Sequence, residues 1–245
     1  MNSGMLYKTG KHKTRNMKKI NLFYSATAII VVLMTSCSGG MEPANESAKQ
    51  ETKTGPIGDN EIKIDNQVWM AKNLGVDKFC NGDLIPEAKT EEEWKKADQN
   101  KQPAWCYFNN EPSNGAKYGK LYNWYAVKDP RGLAPKGWHI PSDAEWTKLI
   151  NFLGGKGVAG TKMKSSAGWK NNSNGSNVSG FNGLPGGCRD EDGDFKNIEE
   201  DGYWWSSSED DGDDALLLSL SYMRGYTFRF DYYKAEGLSV RCLRD

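Results

Sequence analysis

The chain has 245 residues, with 32 Lys and Arg against 32 Asp and Glu. Six of the basic residues precede Cys37 and no acid opposes them, so the sequence beyond it carries 26 basic against 32 acidic residues, a balance of about −6. An acidic balance argues against a nucleic-acid partner, which needs a basic footprint.

Met17-Lys18-Lys19 opens a positively charged segment, and Leu22 to Met34 is an apolar run too short to span a bilayer. Small residues follow, Thr35-Ser36, and then Cys37. This arrangement resembles a bacterial lipobox, in which the cysteine carries lipid and the signal peptide is cut just before it. The reading divides the chain into an upstream extension over 1–16, a signal peptide over 17–36, a flexible tether over 37–60 and one domain over 61–245. Cys37 is the expected lipid anchor and the membrane its partner, which places the protein in the cell envelope as an outer-membrane or cell-surface lipoprotein. The tether has almost no large apolar residue and cannot bury a core. Beyond it all nine Trp occur after residue 68, in a stretch long enough for one packed domain.

In chain order, Glu61–Met70 alternates about an Asp65-Asn66 turn and predicts a hairpin. Thr90 with Glu93 forms a capping box that opens a short, mostly charged helix through Trp94 and Ala97. Lys120–Val127 is apolar too densely for alternation, and Leu121, Trp124, Tyr125 and Lys128 would share a helical face. Gly137–Gly155 is the most legible stretch. Pro141 holds Ile140 extended, Ser142 and Glu145 make a second capping box, and Trp146, Leu149, Ile150 and Leu153 lie on one face. Gly154 and Gly155 stop the helix. A glycine-rich turn follows, and Trp169–Asn182 reads as a long loop. Gly180–Gly187 is a tight segment where backbones approach closely. Strands are expected over 203–208, 215–220, 227–230 and 238–243.

Candidate chemistry is sparse. After Cys37 four cysteines remain, Cys80, Cys106, Cys188 and Cys242; in an exported chain an even number favours two disulfides, with three connectivities open. His139 is the one histidine of the domain, with no GxSxG nucleophile near it, and reads as structural. From Asp190 to Asp214 there are twelve acids and one base, Lys196. Asp190, Asp192 and Asp194 alternate around Gly193, a spacing that suits oxygen ligation of calcium. It departs from the EF-hand loop, with Phe195 where Gly is required. Calcium is the candidate cofactor, against the plainer reading of a solvated acidic loop. Trp204 and Trp205 must point to opposite faces of their strand, so one is expected in the core and the other in a ligand site with Arg189 nearby.

Six segments occur in an order that resembles the Fibrobacter succinogenes major paralogous domain (FISUMP), frequent in surface lipoproteins of Bacteroidetes: Cys106–Asn110, Tyr118–Trp124, Gly137–Trp146, Phe181–Gly187, Tyr203–Ser207 and Ser239–Cys242. More distantly, His139–Trp146 resembles a segment of formylglycine-generating, sulfatase-modifying domains, and Ser239–Cys242 resembles their last strand. That second likeness implies an α+β, C-type-lectin-like fold with two main helices over about 118–128 and 142–153, short antiparallel strands and long loops. The family resemblance also implies the cysteine pairs Cys106–Cys242 and Cys80–Cys188. The distant likeness excludes formylglycine generation, because no cysteine lies between Cys188 and Cys242. Calcium-lectin triplets are absent as well. The leading expectation is a non-catalytic module that binds a glycan or a partner protein; an enzyme of unrecognised type and a structural envelope component are the alternatives.

Overall fold

A computed structural model describes residues 55–58 and 60–245. The expected signal peptide, the Cys37 anchor and most of the tether lie outside these residues. The described chain starts with a strand, β1 (Gly55–Gly58), paired antiparallel to β2 (Glu61–Ile64), so sheet structure begins inside the stretch read as tether. β2 and β3 (Gln67–Met70) form the expected hairpin, turned at Asp65 with φ 57°. Asp tolerates that left-handed backbone because its short side chain bonds locally.

Helix α1 (Glu91–Gln99) starts at the Thr90 capping box and buries Trp94 and Ala97. β4 (Trp105–Cys106) and β5 (Leu121–Tyr122) form a two-stranded ribbon, with α2 (Pro112–Tyr118) between them and α3 (Trp124–Val127) after. β6 (Trp138–His139) leads into α4 (Asp143–Phe152), whose capping box is Ser142 and Glu145 as expected. Its far end is a Schellman motif. Gly155 N–H donates to Ile150 O at 2.9 Å and Gly154 N–H to Asn151 O at 3.0 Å, with Gly154 at φ 100°. A further helix, α5 (Lys156–Met163), follows at once where sequence suggested only a turn.

The rest is strand: β7 (Gly186–Arg189), β8 (Phe195–Ile198), β9 (Asp201–Glu209), β10 (Asp214–Ser221), β11 (Thr227–Tyr233) and β12 (Leu243–Arg244). One five-stranded sheet runs β1-β2-β3-β12-β6 and a second runs β11-β10-β9-β7-β8. Between them, Gly237–Cys242 is laced to both. Trp205 N–H donates to Ser239 O at 3.1 Å, Leu74 N–H to Val240 O at 2.8 Å and Met70 N–H to Cys242 O at 3.0 Å. The expected last strand over 238–243 is this lacing segment, with regular pairing only at β12.

The architecture corrects the C-type-lectin-like, two-helix expectation: the domain is β-rich, built on two five-stranded sheets. The predicted helix over 118–128 does not exist as one element. Gly119 sits at φ 79° and ends α2, and a Cβ there would stand 2.8 Å from Leu74 O. Leu121–Tyr122 then leaves in extended form to pair with Trp105–Cys106. Only one turn of helix, capped by the Asn123 side chain, follows. The density of apolar residues there reflects burial on both sides of a ribbon, not a helical face. The helix over 142–153 stands.

β9 is covered on both faces. Trp205 packs with Tyr122, Trp124, Leu217 and Val240, and Trp204 with Trp69, Trp146, Phe181 and Leu218. Aromatic edges organise the second core, with Phe181 meeting Trp69, Trp146 and Trp204 at 5.6–5.9 Å between ring centroids. Arg241 is buried beside it and donates to Phe181 O and to Asn73 Oδ1, each at 2.7 Å. No helix among the described residues is long and apolar enough to cross a membrane.

Candidate functional site

The residues that the sequence singles out do not converge on one site. Trp204 and Trp205 point to opposite faces of β9, as expected, but both are 0% exposed. The expectation of an open tryptophan fails because β9 lies inside its sheet with a core on each side. Arg189 is buried as well. Its Nε donates to Gly193 O at 2.9 Å and its Nη1 to Ala88 O at 2.7 Å, while its guanidinium lies 4.8 Å from both the Trp94 and the Phe195 rings. It braces the β7–β8 turn against α1 and offers nothing to a ligand.

The alternating acids form that turn. Asp190 Oδ1 accepts from Asp194 N–H at 2.8 Å, and its other oxygen meets the Lys196 ammonium. Asp192 reaches Lys95 at 3.4 Å, and Asp194 stands 3.9 Å from Lys196. Two of the three carboxylates share Lys196 and the third turns to Lys95. Among the described residues no group of three or more His, Cys, Asp or Glu is placed to hold a metal ion.

In this structure Cys80, Cys106, Cys188 and Cys242 are free thiols and neither expected pair is closed. Cys106 pairs with Leu121 across the ribbon and shares that residue's core, while Trp105 and Tyr122 face the core that holds Cys242. The ribbon therefore stands between Cys106 and Cys242. Cys80 is exposed, its thiol donating to Ala134 O at 2.7 Å, whereas Cys188 is buried in β7.

His139 has both ring nitrogens engaged: Nδ1 lies 2.8 Å from Asp245 Oδ1 and Nε2 lies 3.0 Å from Glu145 Oε1. Partial burial disfavours the charged ring, but the hydrogen bonds to the two carboxylates outweigh it and raise the pKa. The ring clamps the start of α4 to the end of the chain. With carboxylates on both nitrogens it activates no nucleophile, in keeping with the structural reading of this residue.

The geometry favours a place that sequence reading missed. Thr147, Ile150 and Asn151 form one face of α4, opposite Tyr226–Arg229 at the start of β11, and the beginning of α5 closes the end. Together they line a cleft of about 580 Å³, within the range of small-ligand sites. Its walls are held in place. Arg229 bridges to Thr147 Oγ1 and Asp143, and Thr161 N–H donates to Gly225 O at 2.8 Å. Close approach of α5 to β11 requires Gly160, since a Cβ there would meet Gly225 O and Tyr226 O at 2.7 Å. The Tyr226 and Phe228 rings lie 4.5 Å apart. Thr227 is buried and its hydroxyl has no partner among the described residues. The only sequence signal was the Thr227–Phe230 strand; that it would face a helix some 80 residues earlier is a matter of topology.

A second hollow, about 350 Å³, is lined by Asp98, Tyr125, Glu191, Asp213, Tyr233 and Lys234. Tyr125 Oη donates to Asp98 Oδ1 at 3.0 Å, and the Lys234 ammonium is taken up by Glu209 and the carbonyls of Asp211 and Gly212.

A family model described as the Fibrobacter succinogenes major domain matches residues 62–244. No curated protein and no solved structure matches the chain.

Proposed function

The chain belongs to the Fibrobacter succinogenes major domain family, and on that premise we propose that it is a lipid-anchored cell-envelope protein whose domain is a non-catalytic binding module for a saccharide, held in the cleft between α4 and β11. The anchor is Cys37, which follows a basic start and a short apolar run. Metabolic labelling with a fatty acid tests it: wild type takes up label and Cys37→Ser does not.

The observation that carries the saccharide reading is the lining of the cleft. The cleft is lined by Ile150 and the aromatic residues Tyr226 and Phe228 together with polar ones, Thr147, Asn151 and Lys156. A sugar ring presents the same mixture of apolar faces and hydroxyl edges, and small-ligand sites pair apolar walls with a few placed polar groups. A glycan array is the test. Wild type is expected to bind a defined subset, and Asn151→Ala and Tyr226→Ala to lose most of that signal while melting near the wild-type temperature. A blank array for wild type overturns the reading.

A further inference from the structure

We infer that the outer edge of β11 is an interface between two copies of this chain. The strand pairs antiparallel with itself about a two-fold axis at Phe230, and the β11-β10-β9-β7-β8 sheets of the two copies join edge to edge. This does not depend on what the cleft holds.

β11 stands at the end of its sheet. Its seven residues, Thr227–Tyr233, pair with β10 in unbroken register. Among the described residues no backbone N–H of this strand donates to anything beyond β10, and α5 is bonded to the chain at Gly225, before the strand begins. Proteins blunt such an edge by keeping it short, or with a proline, a bulge or charges that repel a second strand. The other sheet ends follow that rule. β1 has four residues with Pro56 and a register shift, β8 has four, and β6 has two. β11 is long, regular and free of proline.

The residues of the strand say what its edge accepts. In an antiparallel pair centred on Phe230, that residue faces its own copy, Arg229 faces Asp231, and Phe228 faces Tyr232. The two-fold axis makes each unlike pair twice. Arg229 and Asp231 share one face of the strand, while Phe228, Phe230 and Tyr232 share the other. In the structure the Phe230 and Tyr232 rings stand 5.0 Å apart on that second face. Opposite charges and aromatic rings directly across a ladder are the pairs that stabilise it. The charges also fix the register. With the axis on Arg229, that residue would face itself, and with the axis on Asp231, two acids would meet.

The charged groups are available for this. Asp231 is exposed and forms no ion pair or hydrogen bond among the described residues. Arg229 reaches Thr147 and Asp143 with one N–H on each terminal nitrogen, and a guanidinium has five donors in all. A seven-residue edge makes a small interface, so the association belongs to the weak, concentration-dependent class.

The test is sedimentation velocity of the full chain from micromolar to about millimolar concentration, with hydrogen exchange of Thr227–Tyr233 measured over the same range. Wild type is expected to pass from monomer to dimer, and exchange in this strand to slow as it does. Asp231→Arg sets like charges opposite each other twice and should weaken the dimer about tenfold or more, with loss of the slowed exchange. Its melting temperature at low concentration should match wild type, because Asp231 touches no other group. Arg229→Asp should weaken the dimer too. An equimolar mixture of the two folded variants should then associate better than either alone, since one strand carries two acids and the other two bases. Arg229→Asp places an acid beside Asp143; if it does not fold, the exchange comparison between wild type and Asp231→Arg decides alone. A chain that stays monomeric throughout, a dimer that Asp231→Arg leaves intact, or folded variants that associate no better mixed than apart overturns the inference.

Discussion

Trp204 and Trp205 are adjacent in β9, yet each closes a different core. The indole N–H of Trp204 donates to Asn73 Oδ1 at 2.9 Å, and that of Trp205 to Tyr122 O at 2.8 Å, on opposite sides of the sheet. Two neighbouring residues thus tie β9 to the layers on both of its sides. Replacing either with Ala removes a large buried ring and leaves a cavity, at a cost of about 3–5 kcal/mol. Denaturant unfolding measures this. A loss under about 1 kcal/mol for either variant would contradict the burial described here. Trp204→Phe and Trp205→Phe should leave the folded protein's saccharide binding intact, since neither ring touches the cleft.

What the sequence made legible was local. The capping boxes at Thr90 and Ser142, the stop at Gly154 and the turn at Asp65 each depend on residues within a few positions of one another. What it hid was which segments pair. Leu121–Tyr122 looked helical because a doubly buried ribbon and a helix face have similar apolar density. Trp204 and Trp205 suggested a half-exposed strand because period-2 logic does not say whether the second face is also covered. The cleft was invisible for the same reason: Asn151, Lys156 and Thr227 acquire meaning only when β11 docks beside α4 and α5. Lys156 stood in a stretch read simply as a glycine-rich turn.

His139 makes stability depend on pH in a defined window. Its folded pKa is raised from 6.5, the hydrogen bonds to Asp245 and Glu145 outweighing the opposing burial. The folded state therefore holds the proton more tightly than the unfolded chain. That contribution is complete below 6.5 and fades as pH rises through the folded pKa. Glu145 has the opposite sense. Burial works against its charge, but the bonds from Ser142 and His139 lower its pKa from 4.5, so its contribution is present above 4.5 and lost on acidification. The clamp is strongest between those two values. Melting temperature measured from pH 4 to pH 9 should fall above pH 6.5 more steeply for wild type than for His139→Gln. Parallel curves would show that the clamp does not form in solution.

Glu236 acts in the same direction over a wider range. Burial, with the neighbouring Glu191 and Asp190, pushes its carboxyl up to about 9 from an ordinary 4.5, and Lys196 only partly offsets this. In the fold it is a neutral acid paired with Glu191. Between pH 4.5 and 9 the unfolded chain has released this proton and the folded chain has not, so stability declines across that interval. Glu236→Gln keeps the shape and hydrogen-bonding capacity without the titration. It should match wild type near pH 4 and melt at a higher temperature at pH 8. A variant less stable than wild type at pH 8 would mean that Glu236 is ionised in the fold.

The cysteines give the last prediction and decide between the free-thiol arrangement and the expected disulfides. Burial pushes the thiols of Cys106 and Cys242 up to about 12 and raises that of Cys188 as well, so all three are both shielded and protonated at neutral pH. The thiolate is the reactive form, and buried thiols in apolar surroundings are inert. Cys80 is the exposed one of the four. Treating the native protein with iodoacetamide at pH 8 should modify Cys80 alone among the four cysteines beyond Cys37, and the other three of these should react once denaturant is added, without any reductant. Peptide mapping reads the result. If the denatured chain takes up label only after reduction, disulfides exist in the isolated protein, and the pairs recovered would show whether Cys106–Cys242 forms despite the ribbon between them. Cys80→Ser should abolish native labelling beyond Cys37 while leaving the melting temperature nearly unchanged, because the side chain makes one surface hydrogen bond, to Ala134 O.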